Sequence, residues 1–279
     1  MADDVGECSA ESAPSSTEST TGAGKPGGKR RRRWLQFSIR SLLVAMGLAA
    51  LLMGLLGVPL FRLRRQIAVS ERLQEAGARL SWEAADGTVM DRLAEKLFGD
   101  KAAVHVTEVV WDRVELSPSD LADLEWLDHA QVIDLGWSSV NDDGMVPMRA
   151  LRHLRYLNID GATITDRGLG YLSGCRSLER LKAHGAHVTD AGLVHLANLA
   201  ELENLDLSST RITGEHLEPL LQLPALKVLN LNETQLGDAS VPVLSRLNQL
   251  LWLGVSHTHL SDTARDALAA ALPKTAIDD

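Results

Sequence analysis

Apolar residues recur along this chain every 24 positions between Val106 and about Leu272. Leu157, Leu181, Leu205, Leu229 and Leu253 stand 24 apart, and Ile133 and Val109 extend the series backwards to seven members. A second column holds Trp111, Leu135, Ile159, Ala183, Leu207, Leu231 and Val255 in the same register. A third holds Leu116, Val140, Ile164, Val188, Ile212, Leu236 and Leu260. Residues 154–177, LRYLNIDGATITDRGLGYLSGCRS, show what one period encodes. Leu157 and Ile159 alternate to one face as a strand requires, and Gly161 lets the chain turn away. Thr165 and Asp166 form a helix start ahead of Leu169 and Leu172 at helical spacing. Each period is therefore predicted to be a strand, a turn and a short helix. A single such coil cannot bury its apolar face, whereas coils stacked about 4.8 Å apart share one core and one parallel sheet.

The repeated L-x-x-L-x-L opening and the length of the period resemble the leucine-rich repeat family. The resemblance covers about 170 of the 279 residues. It implies an α/β fold: a right-handed leucine-rich repeat solenoid of about seven 24-residue coils over residues 106–279, with a parallel β-sheet on the concave face and short helices on the convex face. The ninth position departs from the family, which often has Asn there to pair backbone groups at the turn. Here stand Ser138, Ala162, Ala186, Thr210, Thr234 and Thr258. Alanine cannot do that work, so backbone groups near Ala162 and Ala186 are expected to pair with water or with neighbouring coils.

Outside the repeats the pattern changes four times. Residues 1–33 are rich in Ser, Thr, Gly and Ala and end in Arg30 to Arg33, the composition of a disordered tail with a basic end. Residues 34–61 read as a transmembrane signal-anchor. Leu42 to Phe61 carries no charge over 20 residues, about 30 Å as a helix, which matches a bilayer core. Trp34 and Phe37 sit at interface depth, and basic residues bracket both ends. A cleaved signal is the alternative, but FRLRRQ follows and no A-x-A-like site does. The basic excess upstream predicts a cytoplasmic N-terminus, with the repeats on the far side of the membrane, the periplasm in a Gram-negative-type bacterium. Ala50 and Gly54, four apart, would allow a weak homodimer through the span.

Residues 62–105 lack the period and read as a juxtamembrane α/β cap. The expected elements are a helix stopped near Gly77, a strand from Arg79 to Glu83 and a helix over VMDRLAEKLFG stopped near Gly99. At the other end TARDALAAALP replaces the repeat helix and PKTAIDD trails off polar and acidic, an end cap in sequence form.

Charge narrows the partners. Residues 1–65 hold 10 Lys/Arg against 5 Asp/Glu, and the remainder holds 18 against 32. A nucleic-acid role for the acidic repeats is disfavoured. Two cysteines make no disulfide framework, and Cys175 shares the column of Leu151, Leu199, Leu223 and Leu247, the place of a small buried hydrophobe.

Three sets of residues invite a chemical reading. His105, His129 and His153 are spaced by 24 and should stack on one edge, where stacked imidazoles could hold zinc; no carboxylate or thiolate shares their register, which favours a solvated edge. Asp142, Asp166, Asp190, Asp238 and Asp262, interrupted by Gly214, could bind calcium, but each sits at a helix start where a carboxylate complements the helix dipole. The exposed strand positions vary as core positions cannot. They carry Tyr156, Asn158, Arg180, Lys182, Asp206, Asn230 and Trp252, with Trp137 just beyond a strand, a mix of charge and large rings suited to a protein partner. No G-x-S-x-G, G-x-x-x-x-G-K-[ST], H-E-x-x-H or C-x-x-C motif occurs.

The expected function is therefore a membrane-anchored interaction module, resembling bacterial membrane-tethered leucine-rich repeat proteins, that binds a protein or a surface polymer through its exposed strand face. No cofactor and no catalysis are expected. An envelope scaffold without a discrete ligand, or a metal or enzymatic role for the histidine column, are the alternatives.

Overall fold

A computed structural model describes residues 39–84, 104–111, 115–116 and 118–279, together with Arg92, Glu95 and Lys96. The tail, the first residues of the anchor and most of the helix expected before Gly99 lie outside the described residues.

The chain divides into two compact units, residues 1–49 and 50–279. In the first, helix α1 (Ile39–Leu52) begins and runs on into the second. A π-helical turn, Met53–Gly57, follows, and then helix α2 (Val58–Glu75). The unbroken membrane-length helix expected over 42–61 is not what forms, and among the described residues no helix is long and apolar enough to cross a membrane. Pro59 gives the physical reason. It has no N–H to donate to the carbonyl four residues before it, and a wide turn inserted just upstream absorbs the missing bond. Helical conformation nevertheless continues from Ile39 to Glu75 through that turn.

In the second unit one nine-stranded sheet follows chain order. β1 (Arg79–Ala84) pairs antiparallel with β2 (Val104–Val110), with a register shift between Ser81 and Trp82 that skips Thr107. From β2 onward every neighbour is parallel: β3 (Val132–Asp134), β4 (Tyr156–Asn158), β5 (Arg180–Lys182), β6 (Asn204–Asp206), β7 (Val228–Asn230), β8 (Trp252–Gly254) and β9 (Ala276–Asp278). Leu157 pairs with Leu181, Leu181 with Leu205 and Leu205 with Leu229, as the period requires. All seven members of that column are buried.

The last strand corrects the expected count of coils. Ile277 stands 24 beyond Leu253, pairs with it and packs against the core, so PKTAIDD supplies one more strand instead of trailing off. The helix before it, Asp262–Ala271, is the longest in the repeat region and ends ahead of Pro273.

Between strands the chain takes 3₁₀ turns more often than α-helix, as at Asp142–Ala150, Asp190–His195 and Glu218–Gln222. A 3₁₀ turn rises about 2.0 Å per residue against about 1.5 Å in an α-helix, so fewer residues cross the back of a coil. α2 closes the open end of the stack, with Val69 and Leu73 buried in the core. Gln66 donates to Asp128 at 2.7 Å and Arg72 pairs with Asp123 at 2.7 Å, which fastens α2 to the first coil.

At the ninth position the hydroxyls work inside their own coils. Ser138, Thr210 and Thr234 donate to the carbonyls of Leu135, Leu207 and Leu231 at 2.5, 2.5 and 2.6 Å. At the two alanines the flanking backbone groups pair with neighbouring coils, as expected: the N–H groups of Gly161 and Thr163 reach the carbonyls of His184 and Val140 at 2.8 and 3.0 Å, and those of Gly185 and His187 reach Ser208 and Ile164 at 2.9 and 2.8 Å. The N–H of Ala162 and of Ala186 each reach the carbonyl three residues earlier, at 3.2 Å. The turn itself is tight enough to close without a side chain.

Candidate functional site

The open face of the sheet is built from the residues that flank each buried strand centre. Tyr156 lies opposite Arg180, Asn158 opposite Lys182, and Lys182 opposite Asp206. Asp206 in turn faces Asn230, and Trp252 faces Val228. The seven strand residues predicted for binding therefore share this face. Arg180 and Lys182 are exposed on it, and the other five are half-buried.

Several of these side chains also have a structural task. Asn158 Oδ1 accepts the N–H of Asp160 at 2.9 Å, Asp206 Oδ1 that of Ser208 at 3.0 Å, and Asn230 Oδ1 that of Asn232 at 3.1 Å. Each is an Asx turn that bends the chain out of its strand. Lys182 and Gly254 cannot accept a hydrogen bond from the turn. At those two coils the acceptor comes from the preceding coil: Asp160 Oδ1 takes the N–H of His184 at 2.8 Å, and Asn232 Oδ1 takes that of Ser256 at 2.8 Å. Asp160, His184 and Asn232 thus belong to the face although the strand pattern did not single them out. The signal was present: Asp160 and Asn232 each stand in this column one coil before a strand that lacks an acceptor.

The next residue of each turn is left-handed. Trp137, Ser209, Glu233 and His257 have φ between 55° and 59°, and Gly161 and Gly185 have 69° and 72°. Such a conformation costs a bulky L-residue about 1–2 kcal/mol. At Trp137 it holds an indole that is 58% exposed against the backbone of the next coil, where a Cβ on Gly161 would lie 2.5 Å from Trp137 Cε3. The same ring is 6.0 Å from that of His184. A rigid aromatic shelf therefore borders the strand face. Trp252 is held similarly over Gly254, whose Cβ would meet Trp252 Cη2 at 2.5 Å.

Electrostatics gathers around Lys182. Burial raises the pKa of Tyr156; Lys182 opposes that rise, and Asp134 and Asp160 add to it. Burial also raises Asp160, the His184 N–H opposes, and the charge of Asp206 adds. His184 Nδ1 lies 3.0 Å from Ser208 Oγ, a pairing that invites a nucleophile–base reading. However, the Ser208 hydroxyl donates to Asp206 at 2.6 Å, so His184 can only donate to it. Activation of a nucleophile needs the reverse polarity.

The histidine column does stack. The rings of His105 and His129 lie 4.0 Å apart at 20°, and those of His129 and His153 lie 6.0 Å apart at 5°. Parallel rings turn their faces to one another, whereas a zinc ion needs ring nitrogens converging at about 2.0 Å. Among the described residues no group of three His, Cys, Asp or Glu side chains could hold a metal ion.

The aspartate column has a different destination from the one its sequence position suggests. Asn141, Thr165, Thr189 and Ser261 cap their own coils, and Asp142, Asp166 and Asp190, which follow the first three, reach the next coil. Asp142 accepts the N–H and hydroxyl of Thr165 at 2.8 and 2.6 Å, and Asp238 those of Ser261 at 2.8 and 2.8 Å. Where Gly214 interrupts the column, the residue it would have served is Gly237 and carries no hydroxyl.

The repeat unit matches a model of the leucine-rich repeat over residues 150–173, one full period. Residues 150–173 carry a leucine-rich repeat. Internalin C2 of Listeria monocytogenes is similar in structure, with a TM-score of 0.53, 19% identity, and coverage of 67% of this chain and 80% of that one. A second Listeria monocytogenes internalin has a TM-score of 0.46 and 24% identity, covering 62% of this chain and 53% of that one. A leucine-rich repeat protein of Leptospira interrogans has a TM-score of 0.47 and 20% identity, covering 57% and 45%. No curated protein matches the chain in sequence. At these identities the likeness is one of fold, and the leucine-rich repeat fold does not by itself supply a function.

Proposed function

We propose that this protein is a membrane-anchored recognition module that holds a protein partner on the open face of its sheet, at Trp137, Tyr156, Asn158, Arg180, Lys182, Asp206, Asn230 and Trp252. The observation that carries the reading is the pairing of two exposed cations, Arg180 and Lys182, with rings fixed beside them, above a sheet whose strand and turn groups are already satisfied. Rigid aromatic anchors next to charged groups lose little entropy on binding and are the usual centres of protein interfaces. The turn bonds of Asn158, Asp206 and Asn230 hold those side chains in fixed positions, which favours a partner of matching shape.

Tethering is the second half of the proposal. Leu42, Leu43, Val44, Met46, Leu48, Leu51 and Met53 are all exposed along a continuous helical path, and basic residues flank the uncharged run. A bilayer would cover that surface, and the greater basic excess upstream would keep the N-terminus in the cytoplasm. Gly54 has nothing within 4 Å of its would-be Cβ, leaving room for a second helix in a homodimer.

Full-length protein carrying a photo-crosslinking residue at Arg180 tests the binding face, with Val194 on the back of its coil as control. One dominant adduct at Arg180 that Val194 lacks, and that Tyr156→Ala with Trp252→Ala abolishes, is expected. A diffuse ladder from both positions favours an envelope scaffold. No adduct from Arg180 rejects the proposal.

A further inference from the structure

We infer that the flank of the first two coils bordering Arg62 lies against the bilayer and takes the headgroups of anionic phospholipids. This rests on the tethering half of the proposed function. Arg62 is the residue immediately after the uncharged run, so a span over 42–61 fixes it at the membrane surface by chain connectivity. Arg62 does not stand alone. It lines one open hollow with Trp126, Arg149, Arg152 and His153, residues more than sixty positions further along the chain. What shares a hollow with the exit of a span shares its depth in the interface.

The composition of this flank fits that depth. Phe61 meets Trp126 edge-on at 6.4 Å, and the Arg65 guanidinium lies 5.4 Å over the Trp126 ring. Arg149 lies 5.5 Å over Tyr171 on the neighbouring coil. Aromatic rings with arginines among them are what the headgroup layer selects. Guanidinium groups bind phosphodiester oxygens through paired N–H donors, which ammonium groups cannot do. Two carboxylates also face the hollow, Glu125 and Asp128, and Asp128 already accepts a hydrogen bond from Gln66. Arg62, Arg149 and Arg152 outnumber them. The repeat domain is acidic as a whole, so a basic flank at the exit of the span is a local inversion and not an average property. Docking there would fix how the strand face is presented, since the stack would stand on its first two coils.

The test uses full-length protein in vesicles of phosphatidylcholine with and without phosphatidylglycerol. Cys8→Ser leaves Cys175 buried, and a fluorophore is placed at Ala150→Cys, on the rim of the hollow, or at Ala276→Cys, on β9, as control. Co-flotation after an alkaline wash reports the anchor. Quenching by lipids that carry a quencher at the headgroup reports docking. The expected result is retained flotation, with the Ala150 label quenched several-fold more than the Ala276 label and more strongly when phosphatidylglycerol is present. Arg149→Glu with Arg152→Glu should remove that excess while flotation and the thermal unfolding profile persist. Protein that fails to float overturns the tether and this inference with it. Protein that floats with both labels equally quenched overturns the inference alone. Quenching at Ala150 that ignores phosphatidylglycerol overturns the choice of anionic headgroups.

Discussion

The carboxylate of Asp166 accepts both the backbone N–H and the hydroxyl of Thr189, one coil further on, at 2.8 and 2.7 Å. Thr189 in turn caps its own coil through Ala191 N–H. Each Asp–Thr pair therefore joins the start of one coil to the start of the next. In an array where every coil touches only its neighbours, such a joint is part of the coupling that makes unfolding cooperative.

Asp190 is the most heavily engaged member of the ladder. It accepts the hydroxyl and N–H of Thr213 at 2.7 and 3.0 Å, and the N–H groups of Gly214, Glu215 and His216 at 3.3, 3.0 and 3.4 Å. Replacing Asp190 with Ala strands those donors and should cost about 2–3 kcal/mol, measured by urea unfolding of the full chain. Loss below about 0.5 kcal/mol would show that the ladder is not a stabilising joint.

The same residue sets a pH dependence. Burial raises the Asp190 pKa, but the Thr213 hydroxyl and the converging N–H groups outweigh it and hold the carboxyl below its ordinary value of 3.8. Asp238, held by Ser261, is lowered as well. A lowered native pKa contributes stability that is complete above the unfolded value and is lost as pH falls through the native one. Stability should therefore decline below the ordinary carboxylate range. Asp190→Asn should flatten that decline in an acid titration followed by circular dichroism.

Glycine three residues into a coil makes room for the carboxylate before it. A Cβ on Gly192 would collide with Asp166 Oδ1 and come within 3.1 Å of its Cγ, whereas Gly237 has nothing within 4 Å. Gly192→Ala should destabilise by about 1–3 kcal/mol, as overpacking does, and Gly237→Ala should leave stability unchanged or raise it by about 0.5 kcal/mol. In an Asp166→Ala background the penalty at Gly192 should shrink, because the colliding atoms are gone. A full penalty in the double variant would mean that backbone and not carboxylate sets the limit.

Cys175 tests the core. It is buried, its thiol donates to the Met148 carbonyl at 3.2 Å, and burial pushes its pKa up to about 11. In Cys8→Ser protein, a thiol reagent at mildly alkaline pH should modify nothing until the chain unfolds. Because the native pKa exceeds the unfolded one, this group's contribution holds below the unfolded value and is lost as pH climbs towards about 11. Rapid modification of the native protein would show that this layer opens locally.

The strand register could be read from the chain alone, because Leu157, Leu181 and Leu205 need only a fixed step to lie above one another. Ile277 obeyed the same step, and the polar residues around it hid the last strand. The π turn ahead of Pro59 could not be read from hydropathy, which counts apolar residues and ignores where a missing N–H displaces the hydrogen-bond ladder. The open face was predicted as a set of varied positions. That Asn158 and Asp206 close turns, and that Asp160 and Asn232 stand in where Lys182 and Gly254 cannot, is decided only in the folded chain.

By itself the sequence determined the period, the buried columns and the side of each strand that faces out, since these follow from burying apolar residues at regular intervals along one chain. The tertiary structure alone decided which donor each polar side chain meets. Asp166 meets Thr189, 23 positions on and one before its own equivalent Asp190, although the strands beside them pair at a step of 24. Hydrophobic burial acts without direction and leaves its mark in spacing, whereas hydrogen bonds are directional and find their partners only when neighbouring coils have settled in place.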